Sequence, residues 1–434
     1  LQFDQPVDLA MDGATNSLTV TAANACNLVV KVPGVTEITG AEIMQQDGSL
    51  RSAIPAGRTT LSLGGAGVAP LLSAAREAAA SFPKGDYGQK PSASAPASNP
   101  AMEKIKTLAG REVTALAPFN EERFVFASKS GELGLLNVNG DVQTIVTLSA
   151  PARAVCEYDY DADGRLEIAA GCADGKVRII DPAGKELLQV TLHPALSQGR
   201  LDVDGDKLDE LAVWQDNSEL AVIDPLGRVR WKMALHGTLG PTAFGDVDDD
   251  GRDEAVAATA DGERMVLAFK SDGSVEAISA RSGGAAASVL LADVDQDGKT
   301  EVVWGGANGV VNAECAGQTK WTVPMGSQAI NAMTADGKGG VVIGSAAGFV
   351  ARLDGRTGAM GKVTQLGAAV EKICRVRNDL AVLTQGGELV LVDNEMAILQ
   401  RMPLPPAAGW LQAMPQMGVL AAGEAREVAL YSLR

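Results

Sequence analysis

A short apolar segment with alternating inward and outward positions returns eight times along the chain. It reads ELGLLN from Glu132, KVRIID from Lys176, ELAVID from Glu219, MVLAFK from Met265, VVNAEC from Val310, FVARLD from Phe349, ELVLVD from Glu388 and EVALYS from Glu427, at intervals of 39 to 46 residues. A second apolar run precedes each copy, such as FVFAS, IAAG, LAVW or VVIGS. Between the two runs lie pairs such as Asp174-Gly175, Asp261-Gly262 and Asn308-Gly309, the chemistry of a tight hairpin turn. Most copies are followed by a polar turn and a further alternating segment, as in RVRWKM or TKWTV. Four short strands per repeat is the content of one blade of a β-propeller.

Seven repeats have room for a whole unit between about residue 109 and residue 408, whereas the eighth copy runs to Arg434 with no fourth strand behind it. Lys104 to Leu108 is a spare strand that could pair beside EVALYS and leave no open sheet edge. The expectation is an all-β fold, an eight-bladed β-propeller over residues 102–434 closed by an N-terminal strand, with seven blades as the alternative. Upstream, alternating segments such as SLTVTAA, NLVVKVP and TTLSLGG predict a small β-sandwich over residues 1–66. Residues 67–101 read as one or two helical turns, at 70–82, and a linker rich in Pro, Ser and Ala.

Four loops share one acidic design: DYDADGRLE, DVDGDKLDE, DVDDDGRDE and DVDQDGKTE. Carboxylates stand at positions 1, 3, 5 and 9 of each. The candidate metal ligands are therefore Asp159, Asp161, Asp163 and Glu167; Asp202, Asp204, Asp206 and Glu210; Asp246, Asp248, Asp250 and Glu254; and Asp293, Asp295, Asp297 and Glu301. Calcium takes six to eight oxygens on a flexible loop, and a glycine at position 6 permits the bend that points alternate carboxylates inward. Magnesium would demand fewer carboxylates in a tighter octahedron. Gly164, Gly251 and Gly298 hold position 6, but the second loop has Lys207 there, which predicts a strained turn, a cation near the carboxylates and a weaker site. A remnant without the carboxylate set, TADGKGG around Asp336, predicts no metal in the sixth repeat.

The chain has 54 Asp plus Glu against 37 Lys plus Arg, a formal charge of −17. That balance disfavours nucleic acid and anionic membrane surfaces, and no apolar run is long enough to span a bilayer. Four Ca²⁺ would bring the charge from −17 to −9. Two histidines and 4% aromatic residues argue against His-rich zinc sites and a sugar-stacking cleft. Five cysteines make no disulfide framework. Cys156 and Cys172 flank the first acidic loop, so they read either as a disulfide across a hairpin or, in preference, as two buried thiols.

The four acidic loops resemble the FG-GAP and VCBS repeats of integrin α-subunit propellers and of many secreted bacterial proteins, over about residues 152–310. That resemblance implies structural calcium at the sixteen carboxylates, with Glu where the family usually has Asp at position 9. DPLGRVRW from Asp224 and DGRTGAMGKV from Asp354 resemble the quinoprotein-type repeat, in which a Trp docks neighbouring blades; Trp231 and Trp321 hold that position. Residues 15–66 are similar to the trailing β-sandwich of heparinase-like polysaccharide lyases.

These readings favour a non-catalytic, calcium-stabilised binding or scaffolding module, with a polysaccharide or protein ligand. It would be secreted or periplasmic, where calcium is millimolar, and serve as the accessory region of a carbohydrate-active protein. A lyase of the rhamnogalacturonan-lyase type is one alternative. It is opposed by His193 and His236, which recur 43 residues apart at equivalent repeat junctions, as structural residues do. A quinoprotein-like dehydrogenase is the second alternative; it lacks adjacent cysteines. The chain begins at Leu1 without a signal-peptide pattern, as a processed form or a piece of a longer protein would. Oligomeric state is not legible in the sequence.

Overall fold

The computed structural model describes residues 102–433, apart from 236–238, 260–265, 270–273, 278–284 and 406, together with eight strand segments between residues 2 and 65. The helical turns and linker expected within 67–101, His236 and the Asp261-Gly262 turn lie outside the described residues. The chain divides into two compact units, Leu1–Asp86 and Tyr87–Arg434.

The described part of the first unit consists of two four-stranded sheets interleaved along the chain. One joins Gln2–Phe3, Cys26–Val30, Ser49–Ile54 and Ile43–Gln46; the other joins Val7–Asp12, Ser17–Ala22, Gly57–Gly65 and Val35–Thr39. Leu18 and Val20 alternate with more exposed Ser17 and Thr19, and with Leu28, Ile54 and Leu61 they are almost wholly buried. This is the period-two pattern of sheets with one face toward a core.

Among the described residues the second unit contains eight four-stranded antiparallel sheets, and in the first seven the strand order follows the sequence. Sheet one is Val113–Phe119, Arg123–Ser128, Glu132–Asn137 and Val142–Thr147; sheet two is Ala152–Tyr158, Glu167–Cys172, Lys176–Ile180 and Glu186–Thr191. Sheets three to seven repeat the arrangement, each with one copy of the recurrent segment as its third strand. The eighth sheet takes Trp410–Met414, Val419–Glu424 and Glu427–Leu433 from the C-terminal end and Met102–Ala109 from the other end. Glu427 stands opposite Ala109, Leu430 opposite Lys106 and Leu433 opposite Met102.

Sequence character follows position within each sheet. Every residue of the second strands Glu167–Cys172, Glu210–Gln215, Glu301–Gly306 and Gly340–Ser345 is buried, since neighbouring sheets cover both faces, and these strands read as continuous apolar runs. The fourth strands, such as Glu186–Thr191 and Val229–Ala234, are exposed or half-buried at nearly every position. A register shift recurs between the first and second strands of sheets one to seven, for example at Ala152/Ala154, Ala195/Ser197 and Ala286/Ser288, and such bulges increase local twist. Gly175, in the turn between the second and third strands of sheet two, has φ of +77° and closes the turn on the Cys172 carbonyl.

The hydrophobic cores lie between consecutive sheets. Phe119, Val125 and Leu135 of sheet one pack with Val155, Ile168 and Ala170 of sheet two. Tyr158 and Ile179 then meet Leu211 and Val213, and Trp214 and Val222 meet Ala255 and Ala257. Val303 and Trp321 pack with Ile343 and Leu353, and the succession returns to its start where Val419 and Leu430 of sheet eight meet Phe124 and Leu136 of sheet one. Each core is shared between two sheets, so no sheet is covered on both faces without its neighbours.

Candidate metal centre

The four acidic loops join the first and second strands of sheets two to five. All four fold through the same kind of hydrogen bonds, with the position-6 amide as the donor common to them. The position-1 carboxylate accepts backbone N–H bonds from the turn: Asp159 from Asp163 and Gly164, Asp202 from Gly205, Asp206 and Lys207, Asp246 from Asp249 and Gly251, and Asp293 from Asp297 and Gly298, at 2.7–3.2 Å. The position-5 carboxylate accepts from the amide two residues on, as Asp163 does from Arg165 and Asp297 from Lys299. The position-9 glutamate reaches back through Oε2 to the amide of position 2: Glu210 to Val203 at 3.1 Å, Glu254 to Val247 at 3.0 Å and Glu301 to Val294 at 2.9 Å, with Glu167 to Tyr160 longer at 3.4 Å. One oxygen of each glutamate thus closes the loop, and at Glu210 and Glu301 the other is turned toward a cation, a basic side chain.

Two positions of every loop take left-handed backbone. At position 6, Gly164, Gly251 and Gly298 have φ of +80° to +90°, and Lys207 adopts +69°. A Cβ at any of the three glycines would meet nothing within 4 Å, so glycine serves the dihedral and not the space. At position 4 the second loop has Gly205, where the others have Ala162, Asp249 and Gln296 at +56° to +63°. The second loop has therefore exchanged which left-handed position carries glycine.

Carboxylate oxygens converge within 4.8 Å in each loop: Asp159, Asp161 and Glu167; Asp202, Asp204 and Asp206; Asp246, Asp248 and Asp250; and Asp293, Asp295 and Asp297. Asp163, Glu210, Glu254 and Glu301 stand outside these closest groups. The glutamates Glu210, Glu254 and Glu301 are at most 1% exposed and Glu167 is 6% exposed. Burial pushes Glu210 up to about 7, against the Val203 amide and Arg230, which lower it. Burial likewise pushes Glu254 to about 7, with Asp248, Asp250 and Asp246 adding to the rise. Oδ1 of Asp204 and Oδ1 of Asp295 are buried and accept no hydrogen bond among the described residues. Buried carboxylate oxygens without a donor are costly unless a cation meets them, so the donor set fits a hard, oxygen-seeking cation such as calcium.

Two loops already face a positive side chain. Arg230 pairs with Asp204 and, at 3.0 Å, with Glu210 Oε1. Lys320 Nζ lies 2.9 Å from Asp295, 3.1 Å from Asp297 and 2.6 Å from Glu301 Oε1. Burial of Lys320 opposes its charge, but hydrogen bonds to Glu301, Asp295 and Asp297 outweigh that and hold its ammonium above the usual lysine range. The cation expected at the second loop was Lys207; that residue is exposed, and the side chain paired with Asp204 and Glu210 is Arg230. Sequence reasoning missed both Arg230 and Lys320, although each immediately precedes a singled-out tryptophan.

Neighbouring loops are clasped together. The Asp202 amide donates to Asp253 at 3.0 Å while the Asp253 amide donates to the Asp202 carbonyl at 2.7 Å. Tyr158 of sheet two donates its hydroxyl to the Asp209 carbonyl at 2.9 Å, and Lys299 reaches Asp249 at 3.1 Å. At the remnant loop, Asp336 accepts from the amides of Lys338 and Gly340 and pairs with Arg352.

The remaining candidates fall elsewhere. His193 is exposed, and its amide donates to Gln215 at 2.8 Å. Cys156 and Cys172 are free thiols: Cys156 stands opposite Ala169 and Cys172 opposite Ala152, so the register keeps them apart. Burial pushes the Cys156 thiol up to about 12. Trp321 donates from Nε1 to the Gly355 carbonyl in the turn of the next sheet, which is the inter-sheet packing its motif implied.

Residues 246–304 match the model of a family described as FG-GAP-like repeat, a span holding the third and fourth loops. A search of curated proteins by sequence finds no match. Solved structures are similar in fold. The C-terminal WD40 domain of Sif2 matches with a TM-score of 0.62 at 14% identity, over 77% of this chain and 98% of that one. The computationally designed Ika8 protein matches with a TM-score of 0.59 at 17% identity, over 76% and 99%. BamB from Moraxella catarrhalis matches with a TM-score of 0.57 at 14% identity, over 76% and 99%. With the eight antiparallel sheets and the cores between them, these similarities show an all-β chain of β-propeller repeats, one segment of which is FG-GAP-like.

Proposed function

We propose that the chain is an eight-bladed β-propeller whose acidic loops bind structural calcium and which serves as a non-catalytic binding or scaffolding module outside the cytoplasm. The observation that carries this reading is the shared loop geometry, in which three carboxylates converge within 4.8 Å in four successive sheets. The position-9 glutamates, buried and held through one oxygen by a backbone amide, support it. Blade number is supported by eight four-stranded sheets, the last completed by Met102–Ala109. Calcium would be held by the position-1, -3, -5 and -9 carboxylates. Bound there, it would supply positive charge and hold together the carboxylates of one strand connection; the residues themselves orient the oxygens and hold the loop closed through backbone amides.

Extracytoplasmic calcium, at millimolar concentration, would saturate loops of this kind. With the carboxylates engaged by metal and a polypeptide charge of −17 that bound calcium only partly offsets, the surface suits a polysaccharide or protein ligand and not a nucleic acid. The test is thermal unfolding of the full chain in calcium and in EDTA, with binding to a polysaccharide panel measured in both and unsaturated product monitored alongside. A melting temperature raised by calcium, with binding and no product, is expected. An identical transition in EDTA would overturn the structural-calcium reading, and product release would overturn the non-catalytic one.

A further inference from the structure

Resting on the calcium reading, we infer that the loops are of two kinds, and that the second and fourth are neutralised by cations belonging to the chain itself. Arg230 takes the place of metal at Asp204 and Glu210, and Lys320 takes it at Asp295, Asp297 and Glu301.

Both side chains come from the fourth strand of the sheet whose loop they enter. In sheet three Val222 faces Trp231 and Ile223 faces Val229, so Arg230 is the residue passed over in the register. In sheet five Ala313 faces Trp321 and Glu314 faces Thr319, and Lys320 is passed over in the same way. A residue at such a bulge is turned out of the ladder alternation and can be aimed elsewhere. In sheet two the bulge falls between Leu188 and Glu186, and the residue there is Leu187. No basic side chain is ion-paired with Asp159, Asp161 or Glu167 among the described residues. The basic side chain at the first loop is the exposed Arg165, 3.9 Å from Asp163, and it stays outside the converging Asp159, Asp161 and Glu167. The remnant loop of sheet six repeats the substitution in simpler form, with Arg352 on Asp336.

An ammonium 2.6–3.1 Å from three carboxylates stands where a calcium ion would require oxygens at 2.3–2.6 Å. The two cations exclude each other by repulsion at short range. Calcium therefore fills the first loop at concentrations that leave the second and fourth loops to Arg230 and Lys320.

The experiment is calcium stoichiometry by equilibrium dialysis on the full chain, with unfolding curves to verify each variant. Asp161→Asn is expected to lose one bound calcium and Asp295→Asn none. Lys320→Met is expected to gain one, which Asp295→Asn then abolishes in the double variant; its melting temperature should fall in EDTA and recover with calcium. Loss of a calcium from Asp295→Asn alone overturns the inference, as does a folded Lys320→Met with no gain. Should Lys320→Met fail to fold, the Asp295→Asn result still decides. If neither the unmodified chain nor any variant binds calcium, it is the calcium reading that falls.

Discussion

The indole Nε1 of Trp321 donates a 2.7 Å hydrogen bond to the carbonyl of Gly355, joining sheet five to the turn that follows the third strand of sheet six. Trp321 is 6% exposed, and a Cβ on Gly355 would collide with the Val294 carbonyl. Trp321→Phe removes the donor and strands a buried carbonyl, at a cost of about 1–3 kcal/mol. Gly355→Ala is expected to cost more, since backbone and not a side-chain tip must move. Urea unfolding of the two variants checks the ranking.

Lys207 sits at φ +69° where the other three loops have glycine. A non-glycine residue in that region costs roughly 1–2 kcal/mol, partly offset by the greater chain entropy of glycine when unfolded. Lys207→Gly is therefore expected to stabilise the protein by about 0.5–1 kcal/mol, and Gly251→Ala to destabilise it by a similar or larger amount. Chemical denaturation in EDTA, where metal does not contribute, measures both.

Glu314, 6% exposed on the third strand of sheet five, is pushed by burial to about 7. A carboxyl whose folded pKa exceeds its unfolded value holds its proton more tightly when folded. Its contribution to stability is present below about 4.5 and is lost as pH rises through about 7. Allowing for solvent screening, that loss is of the order of 2 kcal/mol. Glu314→Gln should flatten the decline in melting temperature between pH 5 and about 8, and a variant with an unchanged pH profile would refute the assignment.

Met102 and Leu108, on the strand that completes sheet eight, are 1% and 2% exposed. Removing residues 1–109 would uncover the edge of Glu427–Leu433 and take Leu108 from the core shared with sheet one and Met102 from the core shared with sheet seven. That truncation is expected to aggregate, whereas removal of residues 1–100 should leave a monodisperse, cooperatively folding second unit. Size-exclusion chromatography separates the two results.

Much of the architecture can be read from the chain because sheet position imposes a distinct pattern on each strand. Second strands such as ELAVWQ, covered on both faces, are continuous apolar runs, and fourth strands such as VRWKMA alternate because one side meets solvent. The acidic loops were legible for a similar reason: the hydrogen bonds within each loop run between residues at most seven apart, so the spacing of Asp and Glu contains the local geometry. The cations at the second and fourth loops were not legible. Arg230 is 26 residues from Asp204 and Lys320 is 19 from Glu301, and only a register irregularity turns either one inward.

By itself the sequence determined the strand succession, the turns and the local shape of the loops, because those depend on side-chain periodicity and on bonds between near neighbours. Tertiary structure alone decided that Cys156 and Cys172 stand in different registers, that the Trp321 indole finds the Gly355 carbonyl and that Lys320 enters a cluster of carboxylates. Those outcomes depend on which residue of one strand lies opposite which residue of another, and a shift of one position in an antiparallel pair reverses the face to which a side chain points.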